Sequence, residues 1–183
     1  MFTKKIFAML CLVALISLPA IYSEAAVKPT FAVLPFTNKS ARAGTATTEA
    51  ALDAACEYVK AALEHTNRFN PVDRDNENIK NLIENMRFEH ESGLVNPVGI
   101  AAYGKMLGAE YLVLGTVTGL AKRGNDTVVN LSLRMIKVET AEIFLSGFGK
   151  GKSSYGEAEA LEKAAKDALN GEMGMLTMLR GGK

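Results

Sequence analysis

Three apolar segments follow one another closely in the second half of the chain, and their spacing is the strongest constraint on its fold. They run over about Tyr111–Leu120, Thr127–Val138 and Glu142–Gly149. The connections at Lys122–Asp126 and Glu139–Ala141 are too short for a crossover helix, so consecutive strands must pair antiparallel. Apolar and polar residues alternate from Val129 to Met135, which predicts a strand with one buried and one solvated face.

The rest of the chain predicts helices and shorter strands around this meander. The predicted elements are a strand at Phe31–Phe36 ended by Thr37–Ser40, a helix at about Thr48–His65, a short strand at Phe69–Val72, a helix at about Asp75–Met86, a helix from Asn96 to Gly108, and a last helix opening at the capping box Ser154-x-x-Glu157. The order is β-α-β-α-α-β-β-β-α. We therefore predict a single α/β domain whose mixed sheet has about five strands, with a C-terminal antiparallel meander and helices packed on the sheet.

The N-terminus has the organisation of a secretory signal peptide. Lys4 and Lys5 precede an apolar region at Ile6–Ile16, which is shorter than the roughly 20 residues of a membrane-spanning helix. The residues before Cys11 do not form a lipobox, so no lipid anchor is expected there. We predict that residues 1–25 are a removable signal peptide and that the mature chain has no membrane-spanning segment.

The cleavage site is predicted after Ala25, with Ala26 as the alternative position. Ser23 and Ala25 place small residues at the −3 and −1 positions that signal peptidases require. Residues 26–183 then form the folded domain, and export across the inner membrane predicts a periplasmic location.

The charge balance of the mature chain argues against nucleic acid as a partner. Removing Lys4, Lys5 and Glu24 from the 21 basic and 20 acidic residues leaves 19 of each. Nucleic-acid binding normally requires a basic excess. Cys56 would be the one remaining cysteine, which excludes an internal disulfide, and it lies on the apolar stripe of the first helix. We expect it to be a small buried side chain.

The segment Ser146–Ser153 resembles a phosphate-binding loop but lacks its first glycine. The pattern GxxxxGK[ST] requires glycine five residues before Gly151, and Ser146 occupies that position. The segment also follows a meander, whereas a P-loop follows a strand that continues into a crossover helix. A glycine-rich strand exit is therefore favoured over a nucleotide site, and a nucleotide-binding envelope enzyme stays a weak alternative.

No other group of residues predicts a catalytic, cofactor or metal site. His65 and His90 are far apart in sequence and have no cysteine beside them, whereas zinc ligands cluster. An acidic stretch contains Glu84, Glu89 and Glu91, which a solvated helix end explains. We predict no catalytic residue, no metal ligand and no cofactor, and the residues that bind a partner stay unknown.

The C-terminal tail is rich in methionine and has two interpretations. Met173, Met175 and Met178 follow the last predicted helix, and Gly171 and Gly174 interrupt the tail. Methionine packs well in cores and also adapts to varied partners. Core packing is favoured, and a docking surface is the alternative.

Several short motifs, taken in order, resemble the CsgG family of bacterial envelope proteins, which is named for the curli secretion component. The motifs are Phe31–Phe36, Phe69–Arg74, Ser92–Val95, Gly104–Ala109, Tyr111–Gly115, Arg134–Ile143 and Gly149–Ser153. The resemblance extends from Phe31 to about Leu169. It departs from the family in the absent lipobox and in Ala141, where relatives often have glycine.

The resemblance implies a non-catalytic periplasmic protein of curli-type assembly or secretion that acts by binding other cell-envelope proteins. Formation of a homo-oligomer is left open by the sequence. The alternative function is that of an LpoB-like accessory activator of a peptidoglycan synthase. Both functions require protein binding and no membrane-spanning segment in the mature chain.

Overall fold

The computed structural model describes residues 27–40, 49–72 and 97–181. The elements in these ranges are β1 (Thr30–Val33), β2 (Thr37–Asn38), α1 (Glu49–His65), β3 (Asn70–Pro71), α2 (Pro97–Leu107), β4 (Tyr111–Arg123), β5 (Asp126–Lys137), β6 (Ile143–Ser153), α3 (Glu157–Asn170) and α4 (Met175–Gly181). The predicted signal peptide, the helix predicted over about Asp75–Met86 and the residues His90, Glu84, Glu89 and Glu91 lie outside the described residues.

The strands form one mixed sheet. Its order is β3-β1-β4-β5-β6, and β2 also pairs with β4. β1 and β2 run parallel to β4, whereas β4, β5 and β6 form the predicted antiparallel meander. The chain is therefore a single α/β domain with a mixed sheet and helices packed on it, as predicted, with six strands where about five were expected.

The additional strand arises where the sequence predicted a strand end. The predicted strand Phe31–Phe36 is divided in the structure: β1 ends at Val33, and Thr37–Asn38 forms β2 against β4. Pro35 lies between them and has no N–H to donate to a neighbouring strand. Thr37 was interpreted as the start of a polar loop, but it is buried and pairs with Thr116.

α1 and α3 pack on one face of the sheet, here called the inner face. The predicted stripe of α1 is confirmed, since Leu52, Cys56, Val59 and Leu63 are all buried in the main core. α2 covers one end of the opposite face, where a smaller apolar cluster surrounds Leu112. The helix end predicted at Gly108 is confirmed by its left-handed backbone, with φ of 67°.

β6 is longer than predicted, and α3 begins later. The strand continues through Gly147, Gly149 and Gly151 to Ser153. The backbone of α3 packs directly against these glycines and occupies the space that side chains would otherwise fill. The predicted capping box is wrong: Gly156 precedes α3 without a side-chain cap. Ser153 instead donates a hydrogen bond to Glu159 Oε2 at 2.9 Å.

The methionine-rich tail contributes to the core, as the favoured interpretation predicted. It turns after Asn170 and forms the separate helix α4. Met175 and Leu176 are buried in the main core, whereas Met173 and Met178 are exposed. Met173 lies in the turn before α4 and is not part of a helix.

Candidate functional site

On the face of β4–β6 opposite α1 and α3, α2 covers one end, and among the described residues no helix packs on the other end. The side chains of this face alternate along each strand with the buried residues of the inner face. We call this surface the outer face. None of its members is buried, and they are Thr116, Val128, Asn130, Ser132, Arg134, Ser146, Phe148, Lys150 and Lys152.

Phe148 is the aromatic side chain of the outer face. Its side chain is 43% exposed although it lies in the middle of β6. In the sheet it is opposite Ser132, which in turn pairs with Thr116 on β4. An aromatic ring therefore stands at the end of a row of small hydroxyl side chains, which leave its side accessible.

The outer face carries more positive than negative charge. Arg134 and Lys150 are both exposed, and within the described residues no carboxylate forms a salt bridge with either. Lys152 Nζ lies 2.8 Å from Asp126 Oδ2, at the hairpin between β4 and β5. Two cations that form no salt bridge with a described carboxylate thus lie on either side of Phe148 along the sheet.

The free edge of β6 is partly capped by the chain itself. The Lys150 N–H donates to Asp167 Oδ2 at 2.9 Å, and the Phe148 N–H donates to the Met173 carbonyl oxygen at 3.2 Å. Capped edge amides are less able to pair with a further strand. The side chains of the outer face are therefore a better candidate for recognition than the strand edge.

A shallow cleft between α1 and α3 is the second surface of interest. It has a volume of about 420 Å³ and is lined by Ala54, Ala55, Tyr58, Ala158, Glu159 and Glu162. Its carboxylates are already compensated: Lys163 Nζ lies 2.8 Å from Glu159, and Lys166 Nζ lies 2.7 Å from Glu162. Glu162 raises the pKa of Lys166, and Lys163 lowers the pKa of Glu159.

The residues that the sequence singled out as chemical candidates have structural roles where they are described. Ser146–Ser153 forms an extended strand and no loop, so it does not wrap around a phosphate. His65 Nδ1 lies 2.8 Å from the Ala61 carbonyl oxygen, within its own helix. Cys56 is buried, as predicted. In the described part of the chain, no three His, Cys, Asp or Glu side chains are grouped to hold a metal ion.

Within residues 27–40, 49–72 and 97–181, no helix combines the length and apolarity that a membrane crossing requires.

Comparison with known protein families identifies the chain's relatives. The sequence model described as peptidoglycan-synthase activator LpoB matches residues 12–150, which is more than half of the chain. The chain belongs to the LpoB family. The match extends into β6 and so includes the strands β4 and β5 of the outer face. No curated protein matches the chain.

The assignment to the CsgG family, with its curli assembly function, is wrong. The family that matches is LpoB, so the alternative function named from the sequence fits better than the main one. The motifs that carried the resemblance explain the error. Phe31, Phe36 and Val113 are core residues, and Gly149 and Gly151 pack against α3. These motifs therefore indicate how the domain packs, and they do not indicate which partner it binds.

Several solved structures are similar in fold. The hypothetical protein CT253 from Chlamydia trachomatis is 8% identical, with a TM-score of 0.51, covering 84% of this chain and 96% of that one. The LpoB C-terminal domain from Escherichia coli is 19% identical, with a TM-score of 0.46, covering 67% and 81%. PelC from Paraburkholderia phytofirmans, solved as a dodecamer, is 14% identical, with a TM-score of 0.48, covering 79% and 88%. The likeness to CT253 shows the fold alone.

Proposed function

We propose that this LpoB-family chain activates a peptidoglycan synthase by binding it and catalyses no reaction itself. The observation that carries the proposal is the match of residues 12–150 to a family described as peptidoglycan-synthase activators. The surface supports it: the outer face exposes Phe148 and Arg134, and aromatic and arginine side chains are enriched in protein–protein interfaces.

The proposed location is the periplasm, where peptidoglycan is assembled. The supporting feature is the signal-peptide pattern of residues 1–25. Mass spectrometry of the protein purified from its own cells tests this step. An N-terminus at Ala26, or at Val27 if cleavage follows Ala26, is expected; a chain that retains Met1 contradicts export by cleavage.

The function is tested by adding purified residues 26–183 to each peptidoglycan synthase of the source bacterium. The rate of glycan polymerisation and the degree of cross-linking are measured with labelled lipid-linked substrate. A rise in either rate that saturates with the concentration of the added chain is expected. The chain alone should consume no substrate.

A control variant distinguishes activation by the folded chain from nonspecific crowding and from contaminants that purify with the chain. The Gly149→Val variant places a branched side chain where the backbone of α3 lies, so it should not fold and should not activate. If no synthase of the bacterium responds to the folded chain at saturating concentration, the proposed function is wrong.

A further inference from the structure

We propose that the outer face is the docking surface for an acidic face of the synthase. This inference rests on the proposed function and adds to it the surface that binds and the chemistry of the partner. It starts from Phe148, Arg134 and Lys150, which are all exposed on one side of the sheet.

The three side chains share a face because of strand periodicity and register. Ser146, Phe148 and Lys150 follow one another at every second position of β6, so they point the same way. Arg134 on β5 pairs with Ser146, which places it on the same face. The residues between them on β6, Gly147 and Gly149, face α3.

The charge of this surface indicates the sign of its partner. Arg134 and Lys150 lie about 13 Å apart along the strand direction, at roughly 3.3 Å for each residue. This separation exceeds the Debye length of about 8 Å at physiological salt, so each cation acts on carboxylates close to it. Within the described residues neither has a salt-bridge partner of its own. A partner surface with two carboxylates spaced to match would compensate both.

Phe148 supplies the apolar contact between the two cations. Aromatic and arginine side chains contribute most of the binding energy in many interfaces, because burying the ring excludes water from neighbouring ion pairs. An isolated exposed phenylalanine would be unremarkable, but this one is 43% exposed in mid-strand between two cations. The partner should therefore present an apolar pocket bordered by Asp or Glu.

The cleft between α1 and α3 provides the contrast. Its carboxylates already have lysine partners one helical turn away, so little charge remains for a partner to compensate. Lys163 and Lys166 are also exposed, and they lie on the other side of the sheet. They make a charge-matched control.

The experiment compares three variants of residues 26–183 with the unmodified chain. They are the double variant Arg134→Glu with Lys150→Glu, the single variant Phe148→Ala, and the control Lys163→Glu with Lys166→Glu. The two doubles change the net charge equally. Circular dichroism melting first establishes that each variant folds. Affinity for the purified periplasmic part of each synthase is then measured at about 50 mM and 200 mM salt.

The outer-face double should bind at least about 30-fold more weakly, and Phe148→Ala about 10-fold more weakly, chiefly through faster dissociation. The control should stay within about twofold, and raising the salt should weaken the unmodified chain more than the outer-face double. Equal affinity of the outer-face variants and the unmodified chain overturns the surface assignment. The surface assignment is also overturned if the control double loses as much affinity as the outer-face double, because the position of the cations would then not matter.

The result separates this inference from the proposed function. If the unmodified chain and the outer-face variants activate a synthase equally, activation stands and the surface is elsewhere. If the unmodified chain binds no synthase, the function and the surface both fail. Binding to purified peptidoglycan or DNA in place of the synthase overturns the acidic-protein partner. So does an outer-face variant that changes only the mass of the chain in solution, because a second copy would then be the occupant.

Discussion

Gly151 of β6 and Ala160 of α3 lie so close that a Cβ on the glycine would overlap the alanine carbonyl oxygen. The relationship repeats along both elements: Gly149 faces Ala164, and Gly147 faces Ala168. Two strand residues span about 6.8 Å and four helix residues about 6.0 Å, so each β6 glycine lies opposite an α3 alanine along the contact. Glycines in the strand and alanines in the helix thus allow backbone to pack directly on backbone.

The first prediction tests this close packing. Gly149→Ala should destabilise the domain by about 1–3 kcal/mol or more, because the added methyl meets backbone atoms of Ala164 and Ala168 that cannot rotate away. Ser146→Ala, on the exposed side of the same strand, is the control and should change stability by less than about 0.5 kcal/mol. Urea unfolding measures both. Similar midpoints for the two variants would show that α3 can move away without cost.

The second prediction concerns the capped edge of β6. Asp167→Ala removes the acceptor of the Lys150 N–H, whereas Asp167→Asn keeps an oxygen in the same place. Hydrogen exchange at Lys150 should accelerate several-fold in the alanine variant and much less in the asparagine variant. Exchange at Phe148 should not change, because its N–H donates to the Met173 carbonyl oxygen. Acceleration at both amides would mean that Asp167 supports the whole edge.

The third prediction separates the buried from the exposed methionines of the tail. Met175→Ala should cost about 2–5 kcal/mol, because the side chain is fully buried in the main core. Met178→Ala removes an exposed side chain and should change stability by about 0.5 kcal/mol or less. Thermal or urea unfolding compares the two. Weaker synthase binding by Met178→Ala at unchanged stability would support the docking interpretation of the tail.

The fourth prediction concerns the turn between β5 and β6. Ala141 has a left-handed backbone with φ of 56°, a conformation that disfavours any side chain with a Cβ. Ala141→Gly should therefore stabilise the domain by about 0.5–1 kcal/mol. Thr140→Gly, one residue earlier and without positive φ, should instead leave stability unchanged or lower it. A lower unfolding midpoint for Ala141→Gly would show that the left-handed backbone at Ala141 does not destabilise the domain.

The fifth prediction follows from the carboxyl group of Glu159. Hydrogen bonds from Lys163 and, to a smaller extent, from Ser153 hold its pKa below the ordinary value. A group with a lower pKa in the folded state stabilises the fold above its unfolded pKa, and this contribution is lost as the pH falls through the folded pKa. Lys163→Gln should raise the pKa of Glu159 more than Ser153→Ala does.

The titration is followed by NMR of the Glu159 carboxyl carbon. An unchanged Glu159 pKa in both variants would contradict the assigned cause.

Much of the fold could be predicted from the sequence because it depends on local periodicity. The meander follows from strands joined by short turns, and the core side of α1 follows from Leu52, Cys56, Val59 and Leu63 at helical spacing. Gly108 ends α2 for a conformational reason that needs no tertiary contact. For the candidate site, the alternation of glycine with larger residues from Ser146 to Lys152 was visible, but the strand was predicted to end at about Gly149 and the rest was interpreted as a strand exit.

The remaining features were decided by tertiary structure. Thr37 becomes a strand residue because β4 offers it a partner, and Ser153 bonds to Glu159 because β6 extends to meet α3. Glycine in a free chain favours turns, but here the backbone of α3 fills the space beside it and keeps the strand extended. The sequence by itself determined the spacing of the apolar residues, and this spacing predicts helices, strands and their buried sides. Only the packed sheet decided which face α3 covers and which described side chains, Arg134, Phe148 and Lys150 among them, are exposed on the opposite face.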